Sequence, residues 1–410
     1  MREIVDILDT TNASAIRKSP NTHEFHKLEM GKHPMRRLTM VGTLPPNVGI
    51  SEVCVEQLRH LTPVFDIEFL DFRKLYPESL HPGQVREPNV EFIVPSDVKL
   101  RRILTWYNPL TWIWSGFTLQ GKVVHIHWWT YVLFFPLFTL LLIAKFRGKR
   151  VSANVHNVLG HESGFLDRLF TRIFLRNCDM LIAHSERNRL DLIEQHRIPS
   201  AKITLAKLGV YKHLVQYEDK YEARDSLSLP KSSFIILAFG NIRKYKGTEY
   251  LLEAFARARQ SSINLHLVIA GKPWIDWTPY QQIIDRLNLN EYITLRLEYI
   301  DSKNIPLYFS AADILVLPYV NFSSQSGIGL VGLGYSIPTI VTDVGGLPEL
   351  VGFRKEFIAR PSDSKELANK LVNIATSPKL QNEYRQLNTE TIDAFAWDST
   401  TQAIIDLYDM

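Results

Sequence analysis

Three cations stand between two glycines in Gly240-Asn241-Ile242-Arg243-Lys244-Tyr245-Lys246-Gly247, directly behind the apolar run Phe234–Phe239. Glycine lets backbone approach a ligand, a guanidinium offers planar paired donors to phosphate oxygens, and an ammonium adds a point charge. Gly240, Arg243 and Lys246 are therefore candidates for holding a phosphate-bearing molecule. A second cluster, Gln325-Ser326-Gly327-Ile328-Gly329, opens an apolar segment behind Ile314–Pro318. Helix N-termini present unpaired N–H groups and a positive dipole end, which suits phosphate. A third, Asp343-Val344-Gly345-Gly346, leads into Leu347-Pro348-Glu349, with proline fitted to a first helical turn. His156 follows the strand-like Arg150–Val155, where a side chain at the carboxyl end of a parallel strand enters a ligand cleft. Gly49 lies in a Pro/Gly loop ahead of a helix start at Ser51 and is placed to approach phosphate in the same way.

Several chemistries lack their signatures. There is no Gly-x4-Gly-Lys-Ser/Thr loop, and no strand runs into Gly-x-Gly-x-x-Gly, which disfavours a nicotinamide cofactor. No Asp-x-Asp pair points to a divalent metal on a diphosphate, so no metal and no cofactor is expected. Phosphate charge is left to Arg243, Lys246 and helix dipoles.

These residues need strands and helices in alternation, and the chain supplies them. Leu38–Gly42, Phe65–Phe72, Lys122–His127, Arg150–Val155, Met180–His184 and Ile203–Leu208 read as strands, with helices at Ser51–Leu61 and Phe165–Arg176. The polar stretch Tyr217–Ser228 reads as a linker. The pattern then restarts with strands Phe234–Phe239, Leu265–Ala270, Ile293–Leu297, Ile314–Pro318 and Thr339–Thr342, and helices at Thr248–Arg259, 279–289, Ile305–Ala311 and Gly327–Tyr335. The predicted architecture is two Rossmann-like, doubly wound α/β domains facing across a cleft. The first covers 38–215 behind an extension over 1–37, and the second covers 216–392. A length of 410 residues agrees with two cores.

Charge is unevenly placed. Residues 1–213 carry 28 Lys and Arg against 20 Asp and Glu, and residues 214–410 carry 19 against 23. No acid occurs between Asp97 and Glu162, a window in which eight cations alternate with Trp106, Tyr107, Trp112, Trp114, Trp128, Trp129, Phe134 and Phe135. Interleaved cations and aromatics over 98–150 suit an anionic membrane surface. The apolar content exceeds what a nucleic-acid groove needs. Trp128–Ala144 is almost wholly apolar, but it is shorter than the roughly 20 residues of a spanning helix and contains Pro136, an interruption. It reads as a core or membrane-dipping helix, with Lys145, Arg147, Lys149 and Arg150 at the lipid phosphate level. Only Cys54 and Cys178 occur, which fits a reducing cytosol, and no secretory signal is read at the start. The expected location is the cytoplasmic face of the cell membrane.

The ordered set of a glycine loop after the first strand, His156, Gly-Asn-Ile-Arg-x-x-Lys-Gly, Ser-Gly-x-Gly-Leu-Val and Thr-Asp-Val-Gly-Gly-Leu-Pro-Glu resembles nucleotide-sugar glycosyltransferases of the GT-B fold, family 4 type (group 1). The resemblance implies a nucleotide-sugar donor on the second domain, a lipid-linked or glycan acceptor on the first, and hexosyl transfer without a metal. It also implies donor-binding roles for Gly49, Gly240, Arg243, Lys246, Gln325, Ser326, Gly327, Gly329 and Glu349, and a catalytic role for His156 against the transferred sugar. Residues 393–410 would return to the first domain as a helix. Where the family usually carries two glutamates eight positions apart, this chain has Ser326 and Gly334. Retention of anomeric configuration, a family property, is weakened by that departure. A catalytically silent partner subunit and a nucleotide-sugar epimerase are the alternative readings. Gly329, Gly332 and Gly334 each cost a helix about 1 kcal/mol, which implies close packing against a ligand or a strand.

Overall fold

The computed structural model describes residues 36–45, 50–76, 94–158, 164–261 and 263–409. Gly49 and almost all of the 1–37 extension lie outside them. Among the described residues the first sheet has seven parallel strands: β1 (Arg36–Gly42), β2 (Phe65–Lys74), β3 (Lys99–Thr105), β4 (Val123–Trp128), β5 (Arg150–Val155), β6 (Met180–Ala183) and β7 (Ile203–Leu205). Their order is β3-β2-β1-β4-β5-β6-β7, which places a topological switch between β1 and β4. Helices α1 (Ser51–Leu61), α2 (Pro109–Phe117), α3 (Phe134–Phe146), α4 (Phe165–Asn177) and α5 (Glu186–His196) connect these strands. Parallel strands covered on both faces become unbroken apolar runs, as in Met180–Ala183.

The second sheet holds β8 (Phe234–Phe239), β9 (Leu265–Ala270), β10 (Ile293–Arg296), β11 (Ile314–Leu317), β12 (Thr339–Thr342) and β13 (Ile358–Ala359), all parallel, ordered β10-β9-β8-β11-β12-β13. Its switch lies between β8 and β11, and the loops that follow those two strands carry the phosphate candidates. The helices are α6 (Lys220–Ser226), α7 (Thr248–Ala258), α8 (Thr278–Arg286), α9 (Ile305–Ala311), α10 (Gly327–Gly334), α11 (Leu347–Leu350), α12 (Ser364–Ala375), α13 (Pro378–Asp393) and α14 (Trp397–Asp409). Helix α14 lies on the first sheet beside α1. Trp397 stacks on His60 at 5.9 Å, and Ile404, Leu407 and Tyr408 join the core with Leu38, Met40 and Phe65.

Three local readings change. The stretch Tyr217–Ser228 is not a free linker, because it folds as α6 against α9. There Arg224 is buried, bonding Ala311 O at 3.0 Å and pairing with Asp313 at 2.7 Å. Pro136 does not interrupt its helix. It is the third residue of α3, in the first turn, where no intrahelical N–H bond is made. The 17-residue apolar run divides into the end of β4, a turn at Tyr131–Leu133 and α3, and no helix among the described residues is long and apolar enough to cross a membrane.

Candidate active site

A cavity of about 260 Å³ lies between the two sheets, lined by Lys246, Gln325, Ser326, Gly327, Tyr245, Tyr319, Glu52 and Tyr211, among others. Lys246 arrives there because Gly240 (φ +92°) and Gly247 (φ +65°) bend the loop in ways that side-chain-bearing residues resist. A Cβ on Gly240 would stand 3.1 Å from Lys246 Nζ and 3.1 Å from Ile328. The Lys246 ammonium lies over the Tyr319 ring and has no carboxylate partner among the described residues. Burial, with Arg243 adding to it, lowers its pKa to about 8. Arg243 stacks on Trp274 at 4.6 Å and likewise forms no ion pair among the described residues. Its charge reaches Tyr76 of the first domain, whose hydroxyl accepts from Trp129 Nε1 at 2.6 Å. Lys246 at the cavity, with Arg243 on the same loop, is an arrangement chemically suited to an anion.

Gln325 is buried, and its Oε1 accepts from Leu208 N at 2.8 Å, while its Nε2 has no partner among the described residues. The Ser326 hydroxyl caps α10 by accepting from Gly329 N at 3.2 Å, and it also meets the Tyr319 hydroxyl at 3.2 Å. Among the described residues a Cβ on Gly327 would meet only Tyr211, at 3.7 Å, which leaves room for a ligand against the backbone there. His156 directly follows β5 with 6% of its surface exposed, and its carbonyl accepts from Ser324 Oγ across the cleft. Its Nε2 lies 2.9 Å from His127 Nδ1.

Two candidates point elsewhere. Glu349 does not face the cavity: its Oε1 accepts from Glu186 N at 2.8 Å and its Oε2 pairs with Lys207 at 2.8 Å, both in the first domain. The carboxylate sits at the N-terminus of α5, where a positive dipole end draws it, and ties the two sheets together. Gly329 is a packing glycine, since a Cβ would strike Leu350 and approach Leu317 of β11 at 3.2 Å. Gly332 and Gly334 are alike in kind. Gly332 abuts Leu315 of β11, and a Cβ on Gly334 would meet Val215 at 2.6 Å and Val210 at 2.8 Å. Gly334→Ala is accordingly expected to lose about 1–3 kcal/mol in urea unfolding by overpacking; an unchanged midpoint would contradict this. The sequence reading missed Glu52, Tyr211, Tyr245 and Tyr319. The first lies in a helical first turn and the second in the crossover between domains, and neither position carries a local signal.

The cluster at Lys145 also changes meaning. Lys145 bonds Asn177 O and Asp179, Arg147 bonds Gly116 O and Leu119 O, Lys149 bonds Gly121 O, and Arg150 bonds Tyr408 O. These cations are tied to acceptors within the first domain, and Lys145 and Arg147 are exposed as well.

Two doubly wound parallel sheets facing across a cleft, with the anion site on the second, define the GT-B architecture. Solved structures share it: sucrose-phosphate synthase from Thermosynechococcus elongatus (TM-score 0.72, 18% identity, 91% of this chain and 98% of that one). Anabaena Alr3699/HepE in complex with UDP also matches (TM-score 0.71, 17% identity, 92% and 100%). Residues 233–377 match the family model described as glycosyl transferases group 1. Among curated relatives, the D-inositol 3-phosphate glycosyltransferase of Mycobacterium leprae (strain Br4923) is 26% identical over 240 residues, 56% of this chain and 54% of that protein. D-inositol 3-phosphate glycosyltransferase 2 of Catenulispora acidiphila is 24% identical over 242 residues, 56% of each. The chain thus spans about half the length of the curated relatives it matches.

Proposed function

We propose that this protein transfers a hexosyl unit from a nucleotide-sugar donor to a hydroxyl of a lipid-linked or glycan acceptor at an anionic, cytoplasmic membrane surface. The observation that carries the reading is Lys246, an ammonium with no carboxylate partner among the described residues, lining a cavity that also receives the backbone of Gly327, with Arg243 on the same loop. A donor diphosphate supplies the missing negative charge, and its departure is assisted by these cations with no metal required. The relatives' names, and the UDP held by the Anabaena protein, support a nucleotide-sugar as the donor.

The membrane part rests on a face of the first domain. Leu110, Trp114 (58% exposed) and Phe117 on α2, Phe135 and Phe146 (82%) on α3, and Phe165 (78%) and Leu166 on α4 all stand outward. Such a patch marks an interaction surface. Lys99, Lys122, Arg168 and Arg176 are exposed and supply positive charge. The second reading, a catalytically silent subunit, draws on Ser326 and Gly334, which put no carboxylate in the cavity.

A thermal-shift panel of UDP-, GDP-, ADP- and dTDP-sugars tests donor binding, because a ligand of the folded state raises the melting temperature. One donor series is expected to do so, and transfer to a lipid-linked acceptor should follow. No shift with any donor would end the reading, and a shift without transfer would favour the silent subunit. Binding to phosphatidylglycerol vesicles should fall about tenfold or more in Leu110→Ser/Trp114→Ser/Phe165→Ser, since each side chain contributes roughly 1.5–3 kcal/mol when buried. Unchanged vesicle binding would remove the membrane from the account.

A further inference from the structure

Strand alternation and parallel register bring a polar strip onto the first sheet. His125 and His127 share one face of β4, with Ser152 and Asn154 as their register partners on β5. His156 follows β5 and His184 follows β6. The ring centroids of His125 and His127 are 4.9 Å apart, those of His127 and His156 are 5.2 Å apart with the planes within 12°, and His156 to His184 is 5.2 Å. All four imidazoles are buried. At the inner end, Tyr408 of α14 bonds both His125 and Ser152.

We propose that His127 is a positioning residue that fixes the ring orientation and tautomer of His156 in the cleft. The contact between His127 Nδ1 and His156 Nε2 is 2.9 Å, so one nitrogen carries the proton and the other accepts it. Asn154 Nδ2 lies 3.5 Å from the same His127 Nδ1, and an amide nitrogen only donates, so in this amide orientation His127 Nδ1 is the acceptor. His156 Nε2–H then donates inward. The side-chain hydrogen bond found for His156 among the described residues is the one through Nε2, which leaves the Nδ1 lone pair to accept a hydrogen bond from a sugar hydroxyl. The two rings lie edge to edge within 12° of one plane along this bond, which sets the ring plane of His156. The role of His156 toward sugar rests on the proposed transferase reading; its tautomer does not.

The test compares His127→Phe, which removes the acceptor, with His127→Asn, whose carbonyl oxygen takes the place of Nδ1. Long-range ¹⁵N–¹H spectra of the full-length, ligand-free protein, with His156→Gln used for assignment, report the tautomer directly. Wild type and His127→Asn should show His156 protonated at Nε2, and His127→Phe should lose that preference. With the donor found by thermal shift, His127→Phe should lower kcat by about 10- to 100-fold, the range for removing an orienting partner. Its donor KM should stay near wild type, and His127→Asn should recover most of kcat. A His156 protonated at Nδ1 in wild type, a tautomer unmoved by His127→Phe, or a His127→Asn loss as deep as that of His127→Phe would overturn the proposal. An inactive wild type with the expected spectra would instead fault the transferase reading and leave the positioning role standing.

Discussion

Lys246→Met is expected to lower kcat/KM for the nucleotide-sugar by about 10²–10³-fold, the range for deleting one preorganised donor to developing charge. Methionine keeps the apolar stem and removes only the ammonium. No carboxylate among the described residues pairs with Lys246, so the substitution orphans no partner, and removing a half-buried, desolvated cation should raise the melting temperature of the ligand-free protein. The same variant should lose the thermal shift given by the donor. Higher stability alone and lower stability with ligand is a signature that simple misfolding does not produce. Lys244, exposed in the same loop, is the control, and Lys244→Ala should stay within about twofold because a solvated charge contributes little. Burial and Arg243 hold the Lys246 pKa at about 8, so donor affinity of the wild type should fall as pH rises through that value. Lys246→Met should show no such fall. Full activity in Lys246→Met would remove the phosphate role altogether.

The second large effect is acid lability of the first domain. Burial lowers the pKa of His125 to about 3 and of His184 to about 4, and moves His127 and His156 in the same direction. A folded-state pKa below the unfolded value of about 6.5 means that the unfolded chain binds protons first. The stabilisation is complete above pH 6.5 and is lost as pH falls toward the folded values. Each of these histidines should cost about 1.4 kcal/mol per pH unit, so His125 and His184 together remove about 4 kcal/mol by pH 5. Asp71 works the other way. Burial raises its pKa to about 6 despite the Arg102 guanidinium at 2.5 Å, so its protonation in the fold returns about 1.4 kcal/mol by pH 5. The net loss is large against a total stability of about 5–15 kcal/mol. Urea unfolding at pH 7.5, 6 and 5 should show the steepest decline below pH 6.5. His125→Asn/His184→Asn, which keeps a polar atom at each Nδ1 position, should flatten it. Equal midpoints at pH 7.5 and pH 5 would rule this account out.

The fold class was legible because its signal is local. Apolar runs such as Phe234–Phe239 and Leu265–Ala270, each ending at a glycine, mark parallel strands that run into ligand loops, and both coincide with β8 and β9. The loop with Arg243 and Lys246 was legible for a similar reason, since unusual charge density between two glycines can be seen without knowing any neighbour. Glycines in α10 announced close packing, but periodicity cannot say what they pack on. The facing residues, Leu317, Leu350 and Val215, come from three different elements.

By itself the sequence determined two doubly wound domains, a cationic loop after the second domain's first strand, and a histidine at the end of β5. Tertiary structure alone decided which partners those residues meet. It turned Glu349 toward Glu186 and Lys207, tied Lys145, Arg147, Lys149 and Arg150 to intramolecular acceptors, and set His127 against His156 from 29 residues away. The physical reason is register. Residue type and spacing specify which element forms and which face it buries, whereas the atom opposite a given side chain depends on how β4 aligns with β5 and how the two sheets meet.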